Sequence, residues 1–142
     1  VSLAAAVYIK KSHISIEWLD ETISVHEVTG EVISETFHIP AKAKEAIAYR
    51  LGNGKYIERC RQEIEKVAKA RGLAMPILLD QILGGEVQPG DVIKYTDIPK
   101  LKRELKFLER APKFSEDVRE LLFRMNKLVE AAEIHRNPIA FT

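Results

Sequence analysis

The hydrophobic period of this chain changes once, at Pro40, and nothing else in the sequence constrains the fold as strongly. Up to that point polar and apolar residues alternate, as in His13-Ile14-Ser15-Ile16-Glu17-Trp18 and Thr22-Ile23-Ser24-Val25-His26. A period of two places every second side chain on one face, the signature of a strand with a single buried face. Beyond Pro40 apolar residues recur every three or four positions, the signature of helices with one apolar stripe.

The first segment therefore predicts an antiparallel meander of about four strands: residues 3–10, 13–18, 22–26, and a run in which Ile33, Phe37 and Ile39 share a face. Asp20-Glu21 and Thr29-Gly30 supply the turns, Gly30 by accepting a positive φ. The second segment predicts about five helices. The alanine- and lysine-rich residues 41–51 form the first, stopped by Gly52-Asn53-Gly54. Residues 55–70 carry the stripe Ile57, Cys60, Ile64 and Val67, and Gly72 ends them. A short helix starts at Met75-Pro76 and closes at Gly84-Gly85. Residues 86–96 read as a loop in which Val92-Ile93 is extended. Asp97 and Pro99 open a helix that runs to Arg110, and Ser115-Glu116-Asp117 opens a last one reaching His135. These two pack as a hairpin, and Ile139-Ala140-Phe141 is a short extended segment after Pro138. The expected architecture is α+β, a sheet covered by helices in one domain spanning residues 1–142.

Composition narrows the function. With 46% hydrophobic and 30% charged residues the chain has enough apolar side chains to build a core. Cys60 is the only cysteine, so an internal disulfide and a multi-cysteine zinc site are excluded, and a reducing compartment fits. The apolar run at residues 3–9 is too short to cross a bilayer and no basic segment precedes it, so the expectation is a cytoplasmic protein without a signal peptide. The net charge of +1 conceals a division, with −4 over residues 1–40 and +5 over the remainder. Such a division steers a charged partner to one face.

No reacting centre stands out. His13, His26 and His38 fall on predicted strands and His135 at the end of the last helix, without the spacing of a metal motif. Cys60 lies on an apolar stripe, so it reads as a buried structural thiol despite Arg59 and Arg61. Gly52-Asn53-Gly54-Lys55 has the glycines and lysine of an anion cradle. A helix is expected before it and Tyr56 follows, however, so an interhelical turn is the reading. The carboxylate pairs Asp20/Glu21 and Glu63/Glu65 carry no mark of burial. Lys100, Lys102, Arg103, Lys106, Arg110 and Lys113 form a basic cluster interrupted by Glu104 and Glu109. No cofactor is implied.

Two resemblances add to this. His135-Arg136-Asn137-Pro138-Ile139-Ala140-Phe141, at the end of a helical hairpin, resembles the terminal motif of HEPN-type ribonucleases, in which an arginine, a polar residue and a later histidine form the site. Here Phe141 stands where that histidine would lie. More broadly, the order of an N-terminal antiparallel sheet, then helices, including the leucine-spaced Ile98–Leu105 segment and the Asn137–Phe141 ending, is similar to small bacterial immunity proteins of contact-dependent and other polymorphic toxin systems. That resemblance implies a non-enzymatic module that binds and neutralises a toxin domain. The acidic residues Glu17, Asp20, Glu21, Glu27, Glu31 and Glu35 are the candidate partner contacts, set against a basic surface. The competing expectations are a nucleic-acid-associated protein and a degenerate HEPN-like ribonuclease.

Overall fold

The computed structural model describes residues 2–15, 19, 22–34, 44–110 and 113–142. It is α+β, with a four-stranded antiparallel sheet, a separate two-stranded ribbon and four helices among the described residues. The strands are β1 (Ser2–Tyr8), β2 (Ile23–Val25), β3 (Val32–Ser34), β4 (Glu45–Asn53), β5 (Val92–Ile93) and β6 (Ile139–Phe141). The helices are α1 (Gly54–Arg71), a one-and-a-half-turn π-helix (Pro76–Ile82), α2 (Ile98–Glu109) and α3 (Glu116–His135). The main sheet runs in the order β4-β1-β6-β5, and among the described residues β2 pairs only with β3.

This corrects the expected N-terminal meander. Of the four strands anticipated there, the first pairs with β4 and β6, from the middle and the extreme end of the chain, with Ala5 opposite both Tyr49 and Phe141. The segment anticipated from His13 opens instead as a single 3-10 turn, Lys11–His13, and residues 16–18 lie outside the described residues. The third and fourth strands do pair, as the β2–β3 ribbon, with Ser24 opposite Ile33. The turn at Asp20-Glu21 and the positions of Phe37 and Ile39 lie outside the described residues.

The helix expected over residues 41–51 is overturned as well, since Glu45–Asn53 is the longest strand in the sheet. Within it Ile47, Tyr49 and Leu51 belong to the main core, whereas Ala46, Ala48 and Arg50 occupy the alternate positions. Large side chains therefore recur with period two. Alanine, apolar and strongly helix-forming, hid that alternation, and pairing along the whole of β1 outweighed its propensity. The expected helix count falls from five to four for this reason.

Later elements follow the local signals. Asn53 caps α1 by accepting the Tyr56 N–H at 2.9 Å, and Gly72 ends that helix in the left-handed conformation. Of the expected stripe Ile57, Cys60 and Ile64 are buried, while Val67 is partly buried and Ala68 beside it is buried. Ser115 caps α3 by accepting the Val118 N–H. In α3 Val118, Leu121, Met125, Leu128 and Ala132 are fully buried, against both α2 and the sheet. Ile139 and Phe141 of β6 enter the same core, so the short ending is an inner strand of the sheet.

Both faces of β1 are covered. Ala5 and Val7 point into the main core below the helices, while Ala6 and Tyr8 join Ala140 and Val92 on the opposite face. The ribbon has its own core of Ile14, Ile23 and Val32. Asn137, buried just past the end of α3, ties that end to β1 by donating to the Tyr8 carbonyl at 2.8 Å. Gly30, at φ +73°, closes the ribbon turn against it, and a Cβ there would crowd Asn137 Cγ at 3.1 Å.

Candidate functional site

The ribbon is where exposed apolar side chains and acidic residues coincide. Its turn is held by His26, whose Nδ1 accepts the N–H groups of Val28 and Thr29, each at 3.2 Å. The His26 N–H donates to the Glu31 carbonyl at 2.8 Å, which closes the hairpin. Val28 at the tip is 57% exposed and Ile33 40%, with Val25 and Leu19 only slightly less so. Among the described residues the two strands pair only with each other, and a two-stranded hairpin has no second layer of its own for these groups to pack against. Beside the ribbon a groove of about 520 Å³ is lined by Lys10, Lys11, Ser12, Leu19, Val25 and Asn137.

Of the six acidic residues expected to contact a partner, the structure brings two together on this ribbon. Glu27 is exposed in its turn. Glu31 is half-buried and close enough to the Tyr8 hydroxyl to help raise its pKa, after the larger effect of burial. Glu17, Asp20, Glu21 and Glu35 lie outside the described residues.

The remaining candidates separate. Cys60 is buried under Tyr56, and burial first, then the charge of Asp117, pushes its thiol up to about 11, far from the range of an activated nucleophile. Gly52-Asn53-Gly54-Lys55 is a strand-to-helix junction, which corrects the interhelical turn anticipated there, and it borders a cleft of about 380 Å³ closed by Leu83, Val87 and Phe141. In the basic cluster Lys102 is paired with Glu133 at 3.1 Å and Lys100 with Asp97 at 3.8 Å. Glu63 is a structural acceptor, taking both the N–H and the hydroxyl of Ser115.

At the end of α3, Arg136 is exposed and caps the helix at φ +51°, while Phe141, at the place of the family histidine, is buried in the core. His135, however, meets His13 with the two Nδ1 atoms 3.2 Å apart. Sequence reasoning placed His13 with the other strand histidines, and only the close approach of the α3 end to the turn after β1 revealed this pair. The pKa of His135 is lowered, by burial first and by His13 second, which favours a neutral ring. Among the described residues no three ligating side chains gather, and no helix is long and apolar enough to cross a membrane. Comparison with family models, curated proteins and solved structures returns no match for this chain.

Proposed function

We propose that this chain is a non-enzymatic protein-binding module, an immunity-like inhibitor whose ribbon docks onto a basic surface of a toxin domain and occludes it. The observation that carries this reading is the ribbon itself, with Val25, Val28 and Ile33 exposed next to Glu27 on a two-stranded hairpin. Exposed aliphatic groups provide the desolvated anchor of an interface, and a neighbouring carboxylate favours approach of a cationic partner. The −4 charge of residues 1–40 acts in the same direction over a longer range.

The test is binding of the purified chain to a toxin domain encoded beside it, with affinity measured by calorimetry and association rate by stopped-flow mixing. Val28→Asp should weaken binding at least tenfold through lost apolar contact. Glu27→Lys should slow association and reduce its dependence on salt. Affinity unchanged in both variants sinks the proposal. RNA cleavage that disappears in Arg136→Ala would support the ribonuclease reading in its place.

A further inference from the structure

We propose that His13 and His135 form a two-imidazole site for a first-row transition metal ion of the zinc class, bound through their facing Nδ1 atoms. The rings belong to positions 122 residues apart, yet their Nδ1 atoms lie at 3.2 Å. The ring centroids are 5.3 Å apart with the planes inclined at 58°. Two nitrogen ligands, each about 2.0–2.1 Å from a tetrahedral zinc ion, are separated by roughly 3.3 Å. The observed spacing, at which the two rings share an N–H···N hydrogen bond, is close to the bite of the ion, which would take the place of the shared proton. Imidazole nitrogen is a preferred donor for zinc, copper and nickel, whereas magnesium and calcium favour oxygen.

The surroundings set the character of the site. His13 is exposed and His135 half-buried, so an ion reaches the pair directly from solvent. No third His, Cys, Asp or Glu joins them among the described residues, so water or a small anion completes the coordination. Affinity is accordingly lower than at a four-ligand structural site. Lys10 and Lys11 precede His13, and Arg136 follows His135. Their charge opposes a dication and favours an anionic ligand in its open positions. Lys11 is partly withdrawn from this role, since its Nζ donates to the Ile23 carbonyl at 3.0 Å.

Binding would have a mechanical consequence. His13 ends the turn leading into Ile14 of the ribbon core, and His135 ends α3. An ion held between them ties the ribbon to the main body across 122 residues of chain.

Titration of zinc chloride into the full chain by calorimetry, in a buffer free of chelators, tests this site independently of any protein partner. One ion per chain is expected, with the ring resonances of His13 and His135 shifting together. His13→Asn and His135→Asn should each weaken binding at least tenfold, and millimolar magnesium should not displace the zinc. Far-UV circular dichroism establishes that each variant is folded, and the wild-type ring resonances decide the matter if one is not. Absence of saturable binding, binding unchanged in both variants, or shifts confined to other residues overturns the proposal.

Discussion

Glu104 is nearly buried on α2, where its carboxylate accepts the Leu78 N–H at 2.9 Å and the Ile77 N–H at 3.4 Å. The first turn of the π-helix has donors that no residue within that helix can satisfy, and Pro76 removes one of them. A side chain 26 residues away supplies the cap. Burial raises the pKa of Glu104, the two N–H groups lower it, and the charge of Asp80 raises it again, with a net upward shift. For an acid whose folded pKa is raised, the stabilising contribution is complete below the unfolded pKa. It is lost as pH rises through the folded value. Urea denaturation from pH 4 to 7 should therefore show the wild type losing stability relative to Glu104→Gln. Glu104→Ala should cost roughly 1–3 kcal/mol for each donor left unpaired. Gly52 is a second such position. At φ +149° its hypothetical Cβ would overlap Tyr56 Cδ1. The ring cannot swing aside freely, because its hydroxyl donates to the Asp117 carbonyl at 2.7 Å. Gly52→Ala should destabilise the chain by about 1–3 kcal/mol in the same assay, and less in a Tyr56→Ala background.

Among the elements, α3 depends most visibly on its ends. Ser115 accepts the Val118 N–H, and Glu63 of α1 accepts from both polar groups of Ser115, so the start of α3 is fixed to α1. Ser115→Ala removes the cap and one bond to Glu63 but leaves the backbone bond, with an expected cost of about 1 kcal/mol by thermal denaturation. A cost near zero would mean that the Glu63 contact, rather than the cap, holds this end. The strand β4 makes the opposite point. Its alanines favour a helix, yet Arg124 of α3 donates to the Arg50 carbonyl at 2.7 Å, and β1 pairs along its length. Contacts remote in sequence decide the state of this segment.

The whole molecule divides into parts of unequal strength. Among the described residues the main core joins twenty-six buried residues from the sheet and the four helices, whereas the ribbon cluster holds Ile14, Ile23 and Val32 with Ile9 packed against it. At about 1.5–3 kcal/mol for each fully buried aliphatic side chain, these three described residues contribute far less than the larger cluster. The ribbon should therefore open before the rest unfolds. Hydrogen exchange should show the amides of Ile23, Val25 and Val32 exchanging well before those of Leu121 and Met125. Asn137→Ala, which removes the side chain against which Gly30 of the ribbon turn packs, should speed ribbon exchange about tenfold and leave α3 protected. Equal protection of both parts would show that the ribbon is integral to the main core.

Local chemistry alone determined the α+β class, α1 with its stripe and Gly72 cap, the start of α3 at Ser115, and the extended ending at Ile139-Ala140-Phe141. Each is written within a few residues, by periodicity or by a side chain able to satisfy its own helix end. Tertiary structure decided that the chain's last strand lies beside its first, that residues 45–53 are extended, and that His13 faces His135. It also left Val28 and Ile33 of the ribbon exposed beside Glu27. The physical reason is common to all of these. A strand or a pair of rings is specified by what lies opposite it in space, and the sequence records only what lies adjacent along the chain.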